Sequence, residues 1–278
     1  MYEDDTALFY ASSSIRDVNR ALNADLRSIE IWLESNKLTL NVNKCKAMLF
    51  GTRNKLRLGK DQLIATLCGK CLEVVSTFKY LGVWLDPYLT WQDHIDKLCN
   101  AVSSRLGVLR RLTPVLPQRT LEMLLSCMIL PKLDYCDVVW GNCGKCLSDK
   151  LQKLHNRAAR IILGLSYSSH VGNNELSSLH WKTLATRRND HLLQTVYKSV
   201  NHQLPEYLHV FHRVSETHNY PTRHSLSQSI QLPLVQLECG RRKFRHRGAC
   251  SWNELQQSVK TAPNIEAFKY LLKSRADL

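Results

Sequence analysis

The residues with the most chemical content stand at the start of the chain, where Tyr2, Glu3, Asp4 and Asp5 precede the apolar-rich run Thr6 to Tyr10. Two adjacent carboxylates between apolar flanks are costly to hold near a core unless a cation or solvent neutralises them. If Tyr2 ends one strand and Leu8 to Ala11 forms the next, Asp4 and Asp5 sit at a hairpin tip, where hard oxygen ligands suit Mg²⁺. Two-metal nucleotidyl transfer uses such ligands, with ions roughly 3.5–4 Å apart clamping the attacking and leaving oxygens. The plainer alternative is a solvated turn, since Asp is a common turn residue.

Cations dominate the other chemistry-bearing stretches. Lys150, Lys153, Arg157 and Arg160 recur on one side of a helical pattern, a spacing that can track a phosphate backbone, with a solvated charged face as the alternative. Arg241, Arg242, Lys243, Phe244, Arg245 and Arg247 surround one aromatic ring with positive charge, which suits phosphate contact combined with base stacking. Two Cys-Gly-Lys-Cys units, Cys68 to Cys71 and Cys143 to Cys146, have the pair spacing of zinc ligands. They lie much further apart in the chain than the halves of compact ribbon modules, so two unrelated turns are the alternative.

The elements that must position these residues follow from periodicity. Ser14 with Asp17 makes a capping-box start, and Val18, Leu22, Leu26, Ile29 and Leu33 form one helical face ending near Ser35 to Lys37. Leu40 and Val42 alternate with polar neighbours, predicting a strand over 38–43, then a turn at Asn43 to Lys46 and an apolar run to Phe50. Residues 52–77 read as a basic loop or loose hairpin, and Phe78 to Leu85 as a strand. Thr90 with Asp93 caps a helix with the stripe Ile95, Leu98, Val102, Leu106, Leu109 and Leu112. Leu121 to Leu130 predicts a further helix closed by Pro131, and the helix after Cys146 carries the stripe Leu151, Leu154, Ala158, Ile161 and Leu165. Leu176 to Val200 predicts one helix with Arg187 and Arg188 exposed, residues 218–238 turn strand-like, and a last helix carries Phe268, Leu271 and Leu272.

Taken in order, Tyr-x-Asp-Asp, a helix, an Asn-x-x-Lys turn and a Tyr-Leu-Gly strand resemble the palm of reverse transcriptases of the non-LTR, LINE-type, jockey-like retrotransposon family. The resemblance runs from Tyr2 to about Phe268, with the specific motifs in the first eighty-odd residues. It implies that Asp4 and Asp5 are Mg²⁺ ligands and catalytic residues, that Lys44 protonates the departing pyrophosphate, with Lys46 close enough to be confused with it, and that Tyr80, Leu81 and Gly82 grip the primer. A lysine is a reasonable acid there because phosphates and metals set its proton affinity. Glu3 departs from the family, which usually has Ala at that place. The family's further catalytic Asp and its fingers region precede the acidic pair, so the chain is expected to be a carboxyl-terminal part, retaining RNA and DNA binding but inactive in polymerisation alone, or else a non-catalytic RNA/DNA-binding remnant or a functionless retroelement relic.

The fold expectation is α+β and mostly α: a partial palm over 1–88, consisting of a short antiparallel sheet with a packed helix, a thumb-like helical bundle over 89–165, and a small mixed basic tail over 166–278. The 278 residues can bury real cores, and a net charge of +14 with a pI near 9.4 asks for a polyanionic partner. The charge is uneven: residues 1–50 hold six Lys/Arg against seven Asp/Glu, and residues 113–278 hold twenty-two against twelve. No apolar run approaches the ~18–20 residues of a spanning helix, which excludes a helical membrane protein. With ten cysteines and nothing resembling a secretion signal, reduced thiols in a soluble protein of the nucleus or cytoplasm are expected. Oligomeric state is not encoded in any of these patterns.

Overall fold

The computed structural model describes residues 5–59, 63–217 and 228–274. The chain divides into two compact units, Met1–His94 and Ile95–Leu278. It is mostly helical with small ladders, and among the described residues no helix is long and apolar enough to cross a membrane.

In the first unit, α1 (Ile15–Ser35) ends where its apolar stripe ends, with Asn36 N–H bonded back to the Trp32 carbonyl and Lys37 in the left-handed region at φ 55°. The expected capping box does not form; the Ser14 side chain makes no cap hydrogen bond. Leu26 of α1 packs on Ala65 and Leu67, with Leu40, Cys45, Ala47 and Leu72 around them. The helix also pairs with extended backbone through polar side chains. Asn23 accepts from Thr66 N–H at 2.8 Å and donates to the Ile64 carbonyl at 2.8 Å, Asn19 accepts from Ile64 N–H at 3.1 Å, and Glu30 accepts from Cys68 N–H. Side-chain amides thus stand in for a neighbouring strand, satisfying edge groups that would otherwise invite mispairing.

The strands are short. β1 (Lys46–Ala47) lies beside β4 (Glu73–Val74) in parallel, β2 (Thr66–Leu67) pairs antiparallel with β3 (Lys70–Cys71), and β5 (Phe78–Tyr80) pairs antiparallel with β6 (Val83–Leu85). So the predicted antiparallel sheet is three separate two-stranded ladders, one of them parallel. The strand expected over 38–43 is absent, because the backbone there bonds locally: a 3₁₀ turn, Val42–Lys44, sends Lys44 N–H to Asn41 and Cys45 N–H to Val42. Within the stretch expected to be a loop lies the helix α2 (Arg53–Gly59). Cys68 and Gly69, at φ 49° and 71°, form the two-residue turn of the β2–β3 hairpin.

In the second unit, α3 (Gln92–Leu112), whose first turn belongs to the first unit, buries Ile95, Leu98, Val102, Leu106 and Leu109 as its stripe predicts. Then follow α4 (Gln118–Met128), α5 (Leu130–Asp134), α6 (Asp137–Trp140) and α7 (Lys145–Ile162). Pro131 lies in the first turn of α5, where its missing N–H has no helical partner to lose, and so begins a helix as well as following one. The helix predicted over 176–200 is two, α8 (Asn173–Ser178) and α9 (Leu184–Val200), separated by a bend in which His180 has φ 54° and restarted by the Thr183 hydroxyl, which accepts from Thr186 N–H. Of the stretch 218–238 expected to be strand-like, residues 218–227 lie outside the described residues, and 231–237 form no strand. Only an isolated bridge joins Arg213 and Ile230, and the Asn253 side chain takes both the N–H and the carbonyl of Ile230, at 2.8 and 2.9 Å.

The main core gathers on α9. Leu193, Val196, Tyr197 and Val200 meet Trp252 from the helix Phe244–Asn253 and Phe268 from the helix Ile265–Ser274. Tyr197 and Phe268 ring centroids are 4.5 Å apart, Trp252 stacks on Phe268 at 5.9 Å, and the Tyr197 hydroxyl donates to the Ala262 carbonyl at 2.9 Å. Gly248 lets the helix Phe244–Asn253 approach α9: a Cβ there would lie 2.6 Å from Phe211 Cζ and 2.8 Å from Val196 Cγ2. We predict that Gly248→Ala overpacks this contact and lowers stability by about 1–3 kcal/mol, read from the urea midpoint, with an unchanged midpoint counting against the packing described.

Candidate nucleic-acid interface

Asp4 lies outside the described residues, and Asp5 is exposed. Lys44, in the 3₁₀ turn, is also exposed, whereas Lys46 is held by Glu73 at 2.6 Å across the β1–β4 pair. The two lysines that the sequence leaves interchangeable are therefore different in kind: one has a carboxylate partner, the other projects into solvent. Among the described residues Asp5 belongs to no cluster of three or more potential metal ligands. Neither Cys-Gly-Lys-Cys unit is gathered with a third ligand among the described residues.

The run Phe78 to Leu85 is a hairpin and not a single strand, with Tyr80 opposite Val83 and the turn made by Leu81 at φ 43° and Gly82 at φ 82°. Gly82 serves the turn by adopting a positive φ that side chains resist. The segment after the hairpin is organised by Asp86, which sequence reasoning missed. Its buried carboxylate accepts from the N–H groups of Tyr88 at 3.0 Å, Thr90 at 3.1 Å and Trp91 at 2.8 Å, and from the Thr90 hydroxyl at 3.2 Å. The Asp-Pro-Tyr-Leu-Thr sequence, an acid four residues before a threonine with a proline between, was the available signal for such a turn. We predict that Gly82→Ala costs about 1–2 kcal/mol and broadens the amide signals of Tyr80 to Val83 in NMR spectra, while Leu81→Asn, which suits a left-handed position, is neutral or stabilising.

The basic side chains separate into those that face solvent and those the fold consumes. On α7 the buried stripe is Leu147, Leu151, His155, Ala158, Ala159 and Ile162, turned relative to the predicted one, and Leu165 lies beyond the end of the helix and is exposed. Of the four cations, Lys150 pairs with Asp96 at 3.0 Å, which raises its pKa, and Arg160 Nε donates to the Ser169 carbonyl at 2.7 Å; Lys153 is exposed and Arg157 half-buried. In the carboxyl-terminal cluster Arg241, Arg242, Lys243 and Arg245 are exposed, with Glu238 about a long ion-pair distance, 4.0 Å, from both Arg241 and Arg242. Two members do not fit the expected phosphate-and-base surface. Phe244 is half-buried edge-on against Phe211 at 5.2 Å, because its ring completes the main core, and Arg247 is turned inward to donate to the Val138 carbonyl at 2.9 Å.

A charged network absent from the sequence reading joins α5, α6 and α9. Arg187 makes a two-pronged contact with Asp134, both bonds at 2.6 Å, which raises its pKa, and His191 Nδ1 lies 2.6 Å from buried Asp137. Arg188, expected to be exposed, is buried instead, donating to Ser148 Oγ and lying over the Trp140 ring at 5.7 Å, where desolvation lowers its pKa. Asp134, Asp137 and His191 present ligand atoms within 4.8 Å of one another. The guanidinium of Arg187 occupies both oxygens of Asp134, so this arrangement is a neutralised ion-pair network and not a vacant cation cage.

The hydrogen bond to Asp137 raises the His191 pKa, whereas burial lowers that of His155, stacked near Trp181, to about 4. The two act oppositely on stability. The His191 contribution is fully present below the ordinary value of 6.5 and is lost as pH rises through its higher folded value. That of His155 is present above 6.5 and is lost as pH falls from 6.5 toward 4. We predict that His191→Gln lowers the melting temperature more at pH 6 than at pH 8.5, and that His155→Gln flattens the acid side of the wild-type stability curve; a pH-independent loss in both variants would contradict these assignments.

With this geometry described, the relatives are informative. The chain is 28% identical over 166 residues to the RNA-directed DNA polymerase from mobile element jockey of Drosophila funebris, covering 59% of this chain and 18% of that protein. It is 27% identical over 168 residues to the jockey polymerase of Drosophila melanogaster, with the same coverage. This chain is related to the jockey-type retrotransposon polymerases. A probable RNA-directed DNA polymerase from transposon BS of Drosophila melanogaster is 29% identical over 170 residues, covering 60% of this chain and 18% of its own. The chain thus matches less than a fifth of the length of these jockey-type relatives. No family model matches the sequence, and no solved structure matches the chain.

Proposed function

We propose that this chain is a nucleic-acid-binding part of a jockey-type RNA-directed DNA polymerase and that it does not polymerise by itself. The observation that carries the reading is the similarity to three such polymerases over about 60% of the chain, supported by the exposed cations Lys153, Arg241, Arg242, Lys243 and Arg245 on a chain of net charge +14. In this reading residues 1–88 are a palm portion, 89–165 a thumb-like region and 166–278 a basic tail, and RNA and DNA are the partners. The Tyr80 to Val83 hairpin supports the primer end. Asp4 and Asp5 contribute two carboxylates toward a Mg²⁺ site, and Lys44, exposed and without the carboxylate that occupies Lys46, is the proton donor. Two adjacent acids do not complete a two-metal cage, and phosphoryl transfer depends almost wholly on positioning, so the chain alone binds strands without extending them.

Two measurements test this. Filter binding of the purified chain to single-stranded RNA and to duplex DNA over a salt series is expected to give a steep dependence. Arg241→Ala, Arg242→Ala and Arg245→Ala together lower the slope by roughly 2–3, about one for each lost phosphate contact, while Arg247→Ala acts on stability and leaves the slope unchanged. A flat wild-type slope removes the binding reading. Primer extension with Mg²⁺ is expected to yield no product; extension that disappears in Asp4→Ala would overturn the claim of inactivity in isolation.

A further inference from the structure

The segment that follows α9 holds two histidines whose ring nitrogens converge, and the polymerase reading makes no use of them. The chain turns back as α9 ends: Asn201 N–H donates to the Tyr197 carbonyl at 3.1 Å, His202 N–H to Ser199 at 3.3 Å, and Gln203 N–H to Lys198 at 2.8 Å. A 3₁₀ turn, Glu206–Leu208, then brings the chain round, with Ser199 Oγ donating to the Leu208 carbonyl at 2.5 Å and His209 N–H to Glu206 at 2.9 Å. His202 has φ 54°, in the left-handed region, so the loop is held in a shape that an unconstrained chain would seldom adopt. It sets His202 Nδ1 3.4 Å from His209 Nδ1, the two rings perpendicular with centroids 4.7 Å apart.

The tautomer of one ring is determined by its other contact. His209 Nε2 lies 2.6 Å from the Leu204 carbonyl oxygen, which can only accept, so the proton of the neutral imidazole is on Nε2 and Nδ1 carries a lone pair. That is the division of labour found in metal-binding histidines, where one nitrogen donates to a carbonyl or carboxylate and thereby orients the other toward the ion. The Nδ1 to Nδ1 separation, 3.4 Å, is longer than an ordinary N–H hydrogen bond. It does equal one edge of a tetrahedron around zinc: with Zn–N bonds of about 2.0–2.1 Å, two ligands lie roughly 3.3–3.4 Å apart. His202 is exposed and His209 half-buried, which leaves an entry path and room for water on the open side.

We infer that His202 and His209 form a two-histidine site for Zn²⁺, with both Nδ1 atoms as ligands and water completing the tetrahedron. Binding transfers no group; the ion replaces solvent at two imidazole lone pairs. The site would staple the loop to the end of α9, adjoining the main core through Tyr197, Val200 and Phe211.

Because the chain has ten free cysteines, total zinc content cannot report on this site, and a signal from the rings themselves is required. The full chain, labelled with ¹⁵N-histidine and kept reduced, is titrated with ZnCl₂ while the Nδ1 resonances are followed, assigned with His202→Asn and His209→Gln. Asn tolerates a left-handed position, so His202→Asn keeps the fold while removing one ligand. The expected result is that the Nδ1 signals of both rings move together along one binding curve, and that either substitution weakens the response of the remaining ring by roughly tenfold or more. If neither Nδ1 resonance moves up to millimolar zinc, or one ring responds equally well without the other, the pair is a packing contact only and the inference fails.

Discussion

A guanidinium or ammonium removed from water must be given acceptors, and in so basic a chain this requirement divides the cations into two populations. Arg187 is neutralised by Asp134 and Lys182 by Asp190. Arg188 donates to a hydroxyl, and Arg247 and buried Lys260 donate to carbonyl oxygens, with Arg247 Nε left buried without a partner. These side chains hold helices together and are not available to a ligand. Breaking such a buried pair leaves a charge uncompensated, which costs more than the pair contributes in the intact fold. Many cations remain exposed, among them Arg53, Lys55, Arg110, Arg111 and Lys153 as well as the run Arg241 to Lys243 with Arg245, and these are the charges that a polyanion can reach.

The same accounting applies to the backbone. The first unit has only two- and three-residue strands, too short to satisfy one another, and so borrows side chains: Asn19, Asn23 and Glu30 of α1 serve the extended segment 64–68, and Asp86 serves the turn that leads into α3. In the second unit Asn253 does this for Ile230. In each case a polar residue that looks unremarkable in a helical or loop pattern is a structural partner for main-chain groups outside its own turn, and replacing Asp86 would strand the buried Trp91 N–H.

Holding a nucleic-acid strand and transferring a phosphoryl group place different demands on a fold. Phosphate attraction needs only exposed charge on a folded support, and it is tolerant of small displacements. Metal-assisted transfer needs several oxygens held to within a fraction of an ångström.

The relation to jockey-type polymerases, the mostly helical character, the stripe of α3 and the limits of α1 were legible in the sequence, because they rest on local order and periodicity. The Lys44 turn and the positive charge of the tail were legible for the same reason. Tertiary structure alone decided which cations are spent internally, that Phe244 completes a core and cannot stack on a base, that the apparent strands at 38–43 and 230–237 give way to local turns and an Asn253 clamp, and that His202 and His209 meet. Those outcomes depend on which side chain a distant segment brings within three or four ångströms, and no period of two or 3.6 residues carries that information.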